Sequence, residues 1–168
     1  MCIDIHNHVT QTGQGASTML FAHGFGCDQR VWHAVAPAFE ADYRVVRFDH
    51  AGCGGSLAAW NAQRHADLHG YARDVLDLCQ TLELDDVIYV GHSVSGMIGL
   101  LAAAQAPQRF AQLVLIGASP RYVDDAPSYR SAFRPDEIVR LLAHLEEEGS
   151  TVPETLAAMM VGTDTQGA

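Results

Sequence analysis

Residues 87–96 have the sequence VIYVGHSVSG, and the apolar run MIGLLAAA follows at 97–104. The run Val87–Val90 predicts a buried strand, and Val94–Ala106 has the apolar composition of a buried helix. Between them lies a turn of small residues with Ser93 at its tip. A strand, a sharp turn and a helix in this order predict a nucleophile elbow, in which a serine hydroxyl stands above the carboxyl edge of a sheet. The first N–H groups of the helix are directed at this hydroxyl, as is the positive end of the helix dipole. Acyl transfer is therefore the first hypothesis.

Short β-branched runs alternate with segments of helical period along the chain. We predict strands at 4–10, 18–22, 43–49, 87–91 and 113–117, and helices at 31–40, 68–82, 94–106 and 135–148. The run LVLI at 113–116 is typical of a strand that is covered on both faces. This alternation predicts an α/β fold with a doubly wound, mostly parallel sheet. The composition changes after Gly117, so we divide the chain into a core, 1–118, and a second part, 119–168.

Composition and charge exclude several classes of function. Ten Lys and Arg against twenty Asp and Glu give a formal charge of −10, and the basic residues are scattered. Nucleic acid is therefore not an expected partner. The apolar runs are too short to span a membrane, and no signal peptide is evident. The four cysteines have no CxxC spacing, which favours a reduced, cytoplasmic protein.

The segment HGFGCD at 23–28 directly follows a predicted strand. In serine hydrolases with a nucleophile elbow, the loop after this strand supplies one oxyanion donor, and the residue after the nucleophile supplies the other. Here the donors would be the backbone N–H groups of Phe25 and Val94. The alternative is a glycine-rich turn without a chemical role.

Two further patterns suggest a bound phosphate or metal. The glycines in FDHAGCGGS, residues 48–56, are not followed by Lys and Ser or Thr, and they do not complete a dinucleotide fingerprint, so we interpret this segment as a structural loop. The N-terminal DIHNH, residues 4–8, matches a D-x-H-x-H metal pattern, because alternate strand residues share one side. The alternative, which we prefer, is a first strand with surface histidines and no metal.

Several of these motifs together resemble a known family. They are FAHGFGCDQ at 21–29, Trp32, Phe48–Asp49, GYA at 70–72, DVL at 74–76, VGHSV at 90–94 and GASP at 117–120. Over about residues 8–149 the chain resembles the α/β-hydrolases related to the bacterial stress-signalling hydrolase RsbQ and to the plant strigolactone and karrikin receptors.

The resemblance implies a role for each part of the chain. Ser93 would be the nucleophile, and Phe25 and Val94 would donate to the oxyanion. Residues 122–149 would begin a helical lid over an apolar pocket, so that 1–118 is the first part of the hydrolase core. Phe25, His92 and Tyr122 are the substrate-binding candidates, although the position of His92 before the nucleophile also favours a packing role. The substrate would be a small apolar ester or lactone, and no metal or organic cofactor is required.

The chain departs from the family pattern at two points. Ser95 stands where the general GxSxG motif has its second glycine, and Gly96 follows it. In this fold the acid and the histidine of the triad come after the nucleophile, and the family places them after two further strands beyond the lid. Here the only later histidine is His144 in a predicted helix, and the later aspartates, Asp124, Asp125, Asp136 and Asp164, follow no strand.

We therefore expect a fragment that carries the nucleophile and the oxyanion donors and that turns over weakly or not at all. The fragment would also expose the apolar strand 113–117 at an unpaired sheet edge. The competing hypothesis is a non-catalytic small-molecule sensor that signals through a protein partner, as the resemblance allows.

Overall fold

The computed structural model describes residues 7–131 and 133–148, in two compact units that divide after Ser119. The first unit contains five strands: β1 (Val9–Thr12), β2 (Ser17–Ala22), β3 (Tyr43–Phe48), β4 (Val87–His92) and β5 (Phe110–Ile116). Its two α-helices are α1 (Leu68–Thr81) and α2 (Val94–Gln105). The second unit contains α3 (Pro135–Glu148).

The five strands form one sheet in the order β1-β3-β2-β4-β5. The β2–β3, β2–β4 and β4–β5 pairs are parallel, and only β1 runs antiparallel, against β3. The predicted α/β fold with a mostly parallel sheet is confirmed. From β2 the chain passes to β3 on one side, and β4 later pairs with the other side of β2. Open α/β sheets bind their ligands at such a switch point, beyond the carboxyl ends of the strands.

Alternation along the strands gives the sheet two apolar faces. On one face, strand residues pack against α1 and α2; the buried members of this cluster include Leu20, Val46, Phe48, Tyr89, Val75, Leu78, Ile98 and Ala102. On the other face, the cluster consists of Met19, Phe21, Trp32, Ala36, Val45 and Val90. The carboxyl ends of β2, β3 and β4 are therefore fixed from both sides.

The prediction of one α-helix over Val31–Glu40 is wrong. Two short 3₁₀ helices, Gln29–Trp32 and Ala36–Phe39, occupy this part of the chain. Pro37 lies in the first turn of the second of them. Because proline lacks an N–H group and its ring clashes with the carbonyl one turn earlier, a continuous α-helix is interrupted here.

Two strand boundaries also differ from those predicted. The described first strand is Val9–Thr12. His8 is not part of it, and the His8 N–H donates to Ser56 Oγ at 2.7 Å; residues 4–6 of the predicted strand lie outside the described residues. The last strand begins at Phe110, three residues before the predicted start, where the Phe110 ring packs against Tyr89. It ends at Ile116, because Gly117 turns the chain with a φ of +59°.

The second unit begins with a turn closed by two backbone hydrogen bonds between Asp125 and Tyr129. Helix α3 follows over the predicted range. Proline occupies its first position, and the Glu137 carboxylate accepts from the Arg134 N–H at 2.7 Å, which satisfies a donor at the helix start. Within the described residues, no helix is long and apolar enough to cross a membrane.

Candidate active site

Ser93 lies at the tip of a sharp turn between β4 and α2. Its backbone has φ +56° and ψ −125°, a conformation that residues with a side chain rarely adopt. The turn is held on both sides: the Ser93 N–H donates to the Ile116 carbonyl at 2.8 Å, and the Ser93 carbonyl accepts from the Gly96 N–H at 2.9 Å. These are the features of the elbow that the sequence predicts, and we use the term elbow for residues 91–96.

Two glycines of the elbow lie at close contacts, Gly91 between β4 and α2 and Gly96 between α2 and the segment after β5. A Cβ atom at Gly91 would lie 2.6 Å from the Ser95 carbonyl oxygen, and one at Gly96 would lie 2.5 Å from the Ala118 Cβ. The Ser95 side chain, by contrast, is accommodated, since it is fully buried and bonded to other loops. A serine is thus accommodated at the position of the second glycine of the general motif.

The loop after β2 lies directly against the elbow. A Cβ atom at Gly24 would lie 3.2 Å from the Ser93 Cβ and 2.8 Å from His92 Nδ1, so only glycine fits at this contact. Val94 is the first residue of α2, and its N–H has no carbonyl one turn earlier to which it could donate. Neither the Phe25 N–H nor the Val94 N–H donates to any other described residue. Both proposed oxyanion donors therefore flank the Gly24–Ser93 contact.

The three predicted substrate-binding residues have different surroundings. The Phe25 side chain is 55% exposed. His92 is half-buried and packs edge-on against Trp32, with the ring centroids 6.5 Å apart, which agrees with the packing role considered for it. Tyr122 belongs to the second unit, where its carbonyl accepts from the Phe133 N–H. Its assignment stays a prediction.

The carboxylate of Asp49 organises the loops behind the elbow. It is buried at the carboxyl end of β3 and accepts from the backbone N–H groups of Gln29 and Gly55, both at 2.8 Å, and it contacts His8 Nδ1 at 2.9 Å. Burial alone would raise the pKa of Asp49, but these hydrogen bonds outweigh it and hold the pKa below its usual value. The segment 48–56 is thus a loop built around one ionised carboxylate.

His8 is the described part of the N-terminal D-x-H-x-H pattern, since Asp4 and His6 lie outside the described residues. Its ring contacts the Asp49 carboxylate and Gln29 Nε2. Among the side chains that the structure describes, no group of three or more His, Cys, Asp or Glu could hold a metal ion.

The residues considered as acid or base all belong to the second unit. His144 lies in α3, but its side chain is outside the described part of the structure, as is all of Asp164. Asp125 and Asp136 form ion pairs within the second unit, with Arg121 and Arg140. Asp124 accepts from the Ser131 N–H at 2.5 Å. Within the described part of the first unit, no histidine or carboxylate hydrogen-bonds the Ser93 hydroxyl.

Sequence reasoning missed two histidines near the site, His23 and His50, which are both buried. Burial lowers the pKa of His23, and burial together with the neighbouring His23 lowers the pKa of His50 to about 3. The sequence does indicate their position. His23 and His50 follow parallel strands directly or nearly directly, and the carboxyl ends of such strands meet at one sheet edge.

Comparison with known proteins agrees with the fold. The family model described as alpha/beta hydrolase fold matches residues 17–146. The chain belongs to the α/β-hydrolase fold family. The resemblance stated from the sequence motifs is therefore confirmed at the level of the family.

Relatives of this hydrolase-fold chain include esterases and receptors. It is 36% identical over 159 residues to a strigolactone esterase of Pisum sativum, covering 94% of this chain and 59% of that protein. It is 36% identical over 153 residues to the karrikin insensitive 2 receptor IA of Petunia hybrida, covering 90% of this chain and 56% of that protein. The chain thus spans less than two thirds of the length of these relatives.

The solved structures contain the same fold. A hydrolase from Oleispira antarctica superposes with a TM-score of 0.81 at 34% identity, covering 87% of this hydrolase-fold chain and 54% of the other.

Proposed function

We propose that this chain is a serine hydrolase-type protein that attacks a small apolar ester or lactone through Ser93. The Ser93 Oγ adds to the carbonyl carbon, and the resulting oxyanion accepts hydrogen bonds from the Phe25 and Val94 N–H groups. The alcohol then leaves with a proton, and an acyl group remains on Ser93 until water removes it. In a lactone, the leaving alcohol stays attached to the acyl group.

The observation that carries the proposal is the backbone of Ser93 at the elbow. A non-glycine residue at positive φ costs about 1–3 kcal/mol, and such residues cluster at functional sites. The contact of Gly24 with Ser93 supports the proposal further, because Phe25 and Val94 are the residues that follow the two partners of this contact. Relatives named as esterases support the same chemistry.

The described part of the first unit supplies no base to Ser93. The test is therefore designed to detect acylation of Ser93 and not full turnover. Without a base the serine attacks only activated esters, and water attacks the acyl group even more slowly. Oxyanion donors alone retain roughly 1000-fold catalysis over water in well-formed sites. We therefore expect the acyl group to accumulate on the 168-residue chain.

The experiment treats the chain with a chromogenic short-chain acetate and follows both the released phenolate and the intact mass. We expect one acetyl group per chain, located at Ser93 by peptide mapping. Ser93→Ala should show no mass increase, and its rate should fall to the residual level that the oxyanion donors alone support. Ser17→Ala is the matched control, because Ser17 is an exposed serine at the start of β2. Equal rates for wild type and Ser93→Ala would overturn the proposal.

The substrate class rests on the surroundings of the elbow in the first unit. Phe25 exposes an apolar ring next to Gly24, and the half-buried His92 is stacked edge-on against Trp32. These side chains offer apolar contact and few charged groups, which suits a small apolar acyl or lactone group. Acylation of Ser93 should therefore be faster with esters that have apolar acyl groups than with esters that have charged acyl groups and the same leaving group.

The second candidate is a sensor that binds the same class of molecule and signals through a protein partner. It is supported by relatives named as receptors. A lactone that raises the melting temperature of wild type and of Ser93→Ala equally, without forming an adduct, would support the sensor. An adduct that forms faster than in buffer would support the hydrolase.

A further inference from the structure

Three buried side chains beside the elbow form one connected hydrogen-bond network that the proposed mechanism does not use. His23 Nδ1 contacts the Gly24 carbonyl at 2.9 Å, and the His50 N–H donates to His23 Nε2 at 3.0 Å. His50 Nε2 contacts Ser95 Oγ at 2.7 Å, and Ser95 Oγ donates to the His23 carbonyl. All three residues are at most 4% exposed. We call them the His23–His50–Ser95 network.

The partners fix the position of every proton in this network. A carbonyl only accepts, so His23 carries its proton on Nδ1, while Nε2 accepts from the His50 N–H. The single hydroxyl proton of Ser95 is directed at the His23 carbonyl. Ser95 Oγ must then accept from His50, which places the His50 proton on Nε2.

Both rings are therefore neutral. A second proton on His23 would remove the acceptor that the His50 N–H requires. A second proton on His50 would lie on Nδ1, a buried atom without a hydrogen-bond partner among the described residues. The lowered pKa values of the two histidines agree with this assignment.

The network joins the two backbone segments that carry the proposed oxyanion donors. His23 lies two residues before Phe25 in the loop after β2, and Ser95 lies one residue after Val94 in the first turn of α2. The bond from Ser95 to the His23 carbonyl links these segments directly. His50, from the loop after β3, holds the Ser95 hydroxyl in the orientation that this bond needs.

We propose that the His23–His50–Ser95 network sets the spacing between the backbone N–H groups of Phe25 and Val94, with Ser95 and His50 as positioning residues. This inference rests on the proposed function, because those N–H groups matter only as oxyanion donors. The donors stabilise charge that develops in the transition state. Loss of the network should therefore slow acylation and leave ester binding unchanged.

The first test is the state of the two rings, which does not depend on activity. Long-range ¹H–¹⁵N spectra of the wild-type chain, assigned with His23→Gln and His50→Gln, should show His23 protonated on Nδ1 and His50 on Nε2. Both should stay neutral at pH 5, with the exposed His69 ring as an internal reference. A proton on Nδ1 of His50, or a charged His50 ring at pH 5, would show that the hydrogen bonds assigned to the network are wrong.

The second test measures acetylation of Ser93 as a function of ester concentration. Ser95→Ala and His50→Leu should lower the maximal rate constant by about 10- to 100-fold, the range expected when an oxyanion donor is displaced. The half-saturating ester concentration should not change. His50→Gln should recover most of the rate, because its amide can donate to Ser95 from nearly the same position as Nε2.

Misfolding and mispositioning give different results in this assay. A variant that folds poorly loses final adduct per chain, whereas a mispositioned donor lowers the rate constant at full adduct. His69→Leu, on the exposed face of α1, is the matched control for His50→Leu and should react like wild type.

The remaining outcomes separate the two proposals. Wild-type rate constants in both Ser95→Ala and His50→Leu would overturn the positioning role while the adduct at Ser93 still supports the hydrolase. A wild-type chain that forms no adduct would overturn the hydrolase and the positioning role together, whatever the ring spectra show.

Discussion

At the scale of single residues, the backbone of Ser93 shows how the elbow combines chemistry with strain. Its φ of +56° and ψ of −125° lie in a region that glycine occupies readily and that other residues reach at a cost. The hydrogen bonds to Ile116 and Gly96 hold this conformation. The fold therefore retains a serine where backbone energetics alone would favour glycine.

Because the backbone of Ser93 is strained, we expect the folded chain to be more stable when residue 93 has no side chain. Ser93→Gly should raise the free energy of unfolding by about 1 kcal/mol relative to Ser93→Ala, because alanine keeps the Cβ that makes this conformation unfavourable. Denaturant unfolding of the two variants measures the difference. Equal stabilities would mean that Ser93 is unstrained.

Because His23 and His50 are buried, we expect the free energy of unfolding to fall in mild acid. His50 has a pKa of about 3 in the folded chain, against about 6.5 when unfolded. Between these values the unfolded chain binds more protons, so the free energy of unfolding falls as the pH falls. From pH 7 to pH 5, His50 alone contributes a loss of about 2 kcal/mol. His23, whose pKa is also lowered, acts in the same direction.

His50→Gln cannot titrate and should remove most of this dependence. The pH 7 to pH 5 interval isolates the histidines, since the pKa of the neighbouring Asp49 is lowered and its carboxylate stays ionised there. Urea unfolding at the two pH values, for wild type and for the variant, measures the effect. An unchanged slope in His50→Gln would show that His50 is protonated in the folded chain.

At the scale of elements, the sequence was most informative where one local rule acts alone. Helix α1 begins where Asp67 caps it, accepting from the His69 and Gly70 N–H groups. The elbow was predictable because its strand, small turn and apolar helix are contiguous. The prediction of one α-helix at 31–40 is wrong. Apolar periodicity favours a helix there, but Pro37 interrupts it, and two short 3₁₀ helices form instead.

The parts of the site that escaped prediction depend on contacts between distant segments. His23, His50 and Ser95 are separated by up to 72 positions along the chain. Their hydrogen bonds exist only because β2, β3 and β4 are neighbours in the sheet. Nothing local in the glycine-rich segment 48–56 distinguishes a loop that supports the elbow from an ordinary turn. These contacts can be predicted only when the order of the strands in the sheet is known.

At the scale of the whole molecule, β5 is more exposed than its sequence predicts, in a chain that spans less than two thirds of the length of its relatives. The sequence LVLI predicts a strand covered on both faces, yet Val114, Leu115 and Ile116 are 39%, 43% and 43% exposed. In the described sheet, β5 is an edge strand that pairs only with β4. An exposed, apolar edge is a template for pairing with another chain.

We therefore expect the 168-residue chain to self-associate through β5, and a charge on this strand should oppose it. Val114→Lys should increase the monomer fraction in light scattering, because lysine on an edge strand disfavours strand addition. Val139→Lys is the matched control: Val139 is 66% exposed on α3, and the substitution changes the net charge by the same amount without touching the sheet. Equal gains from both variants would assign the effect to charge alone. A wild-type chain that is already a monodisperse monomer with a cooperative melt would contradict the prediction, because the apolar edge would then be stable in water without a partner.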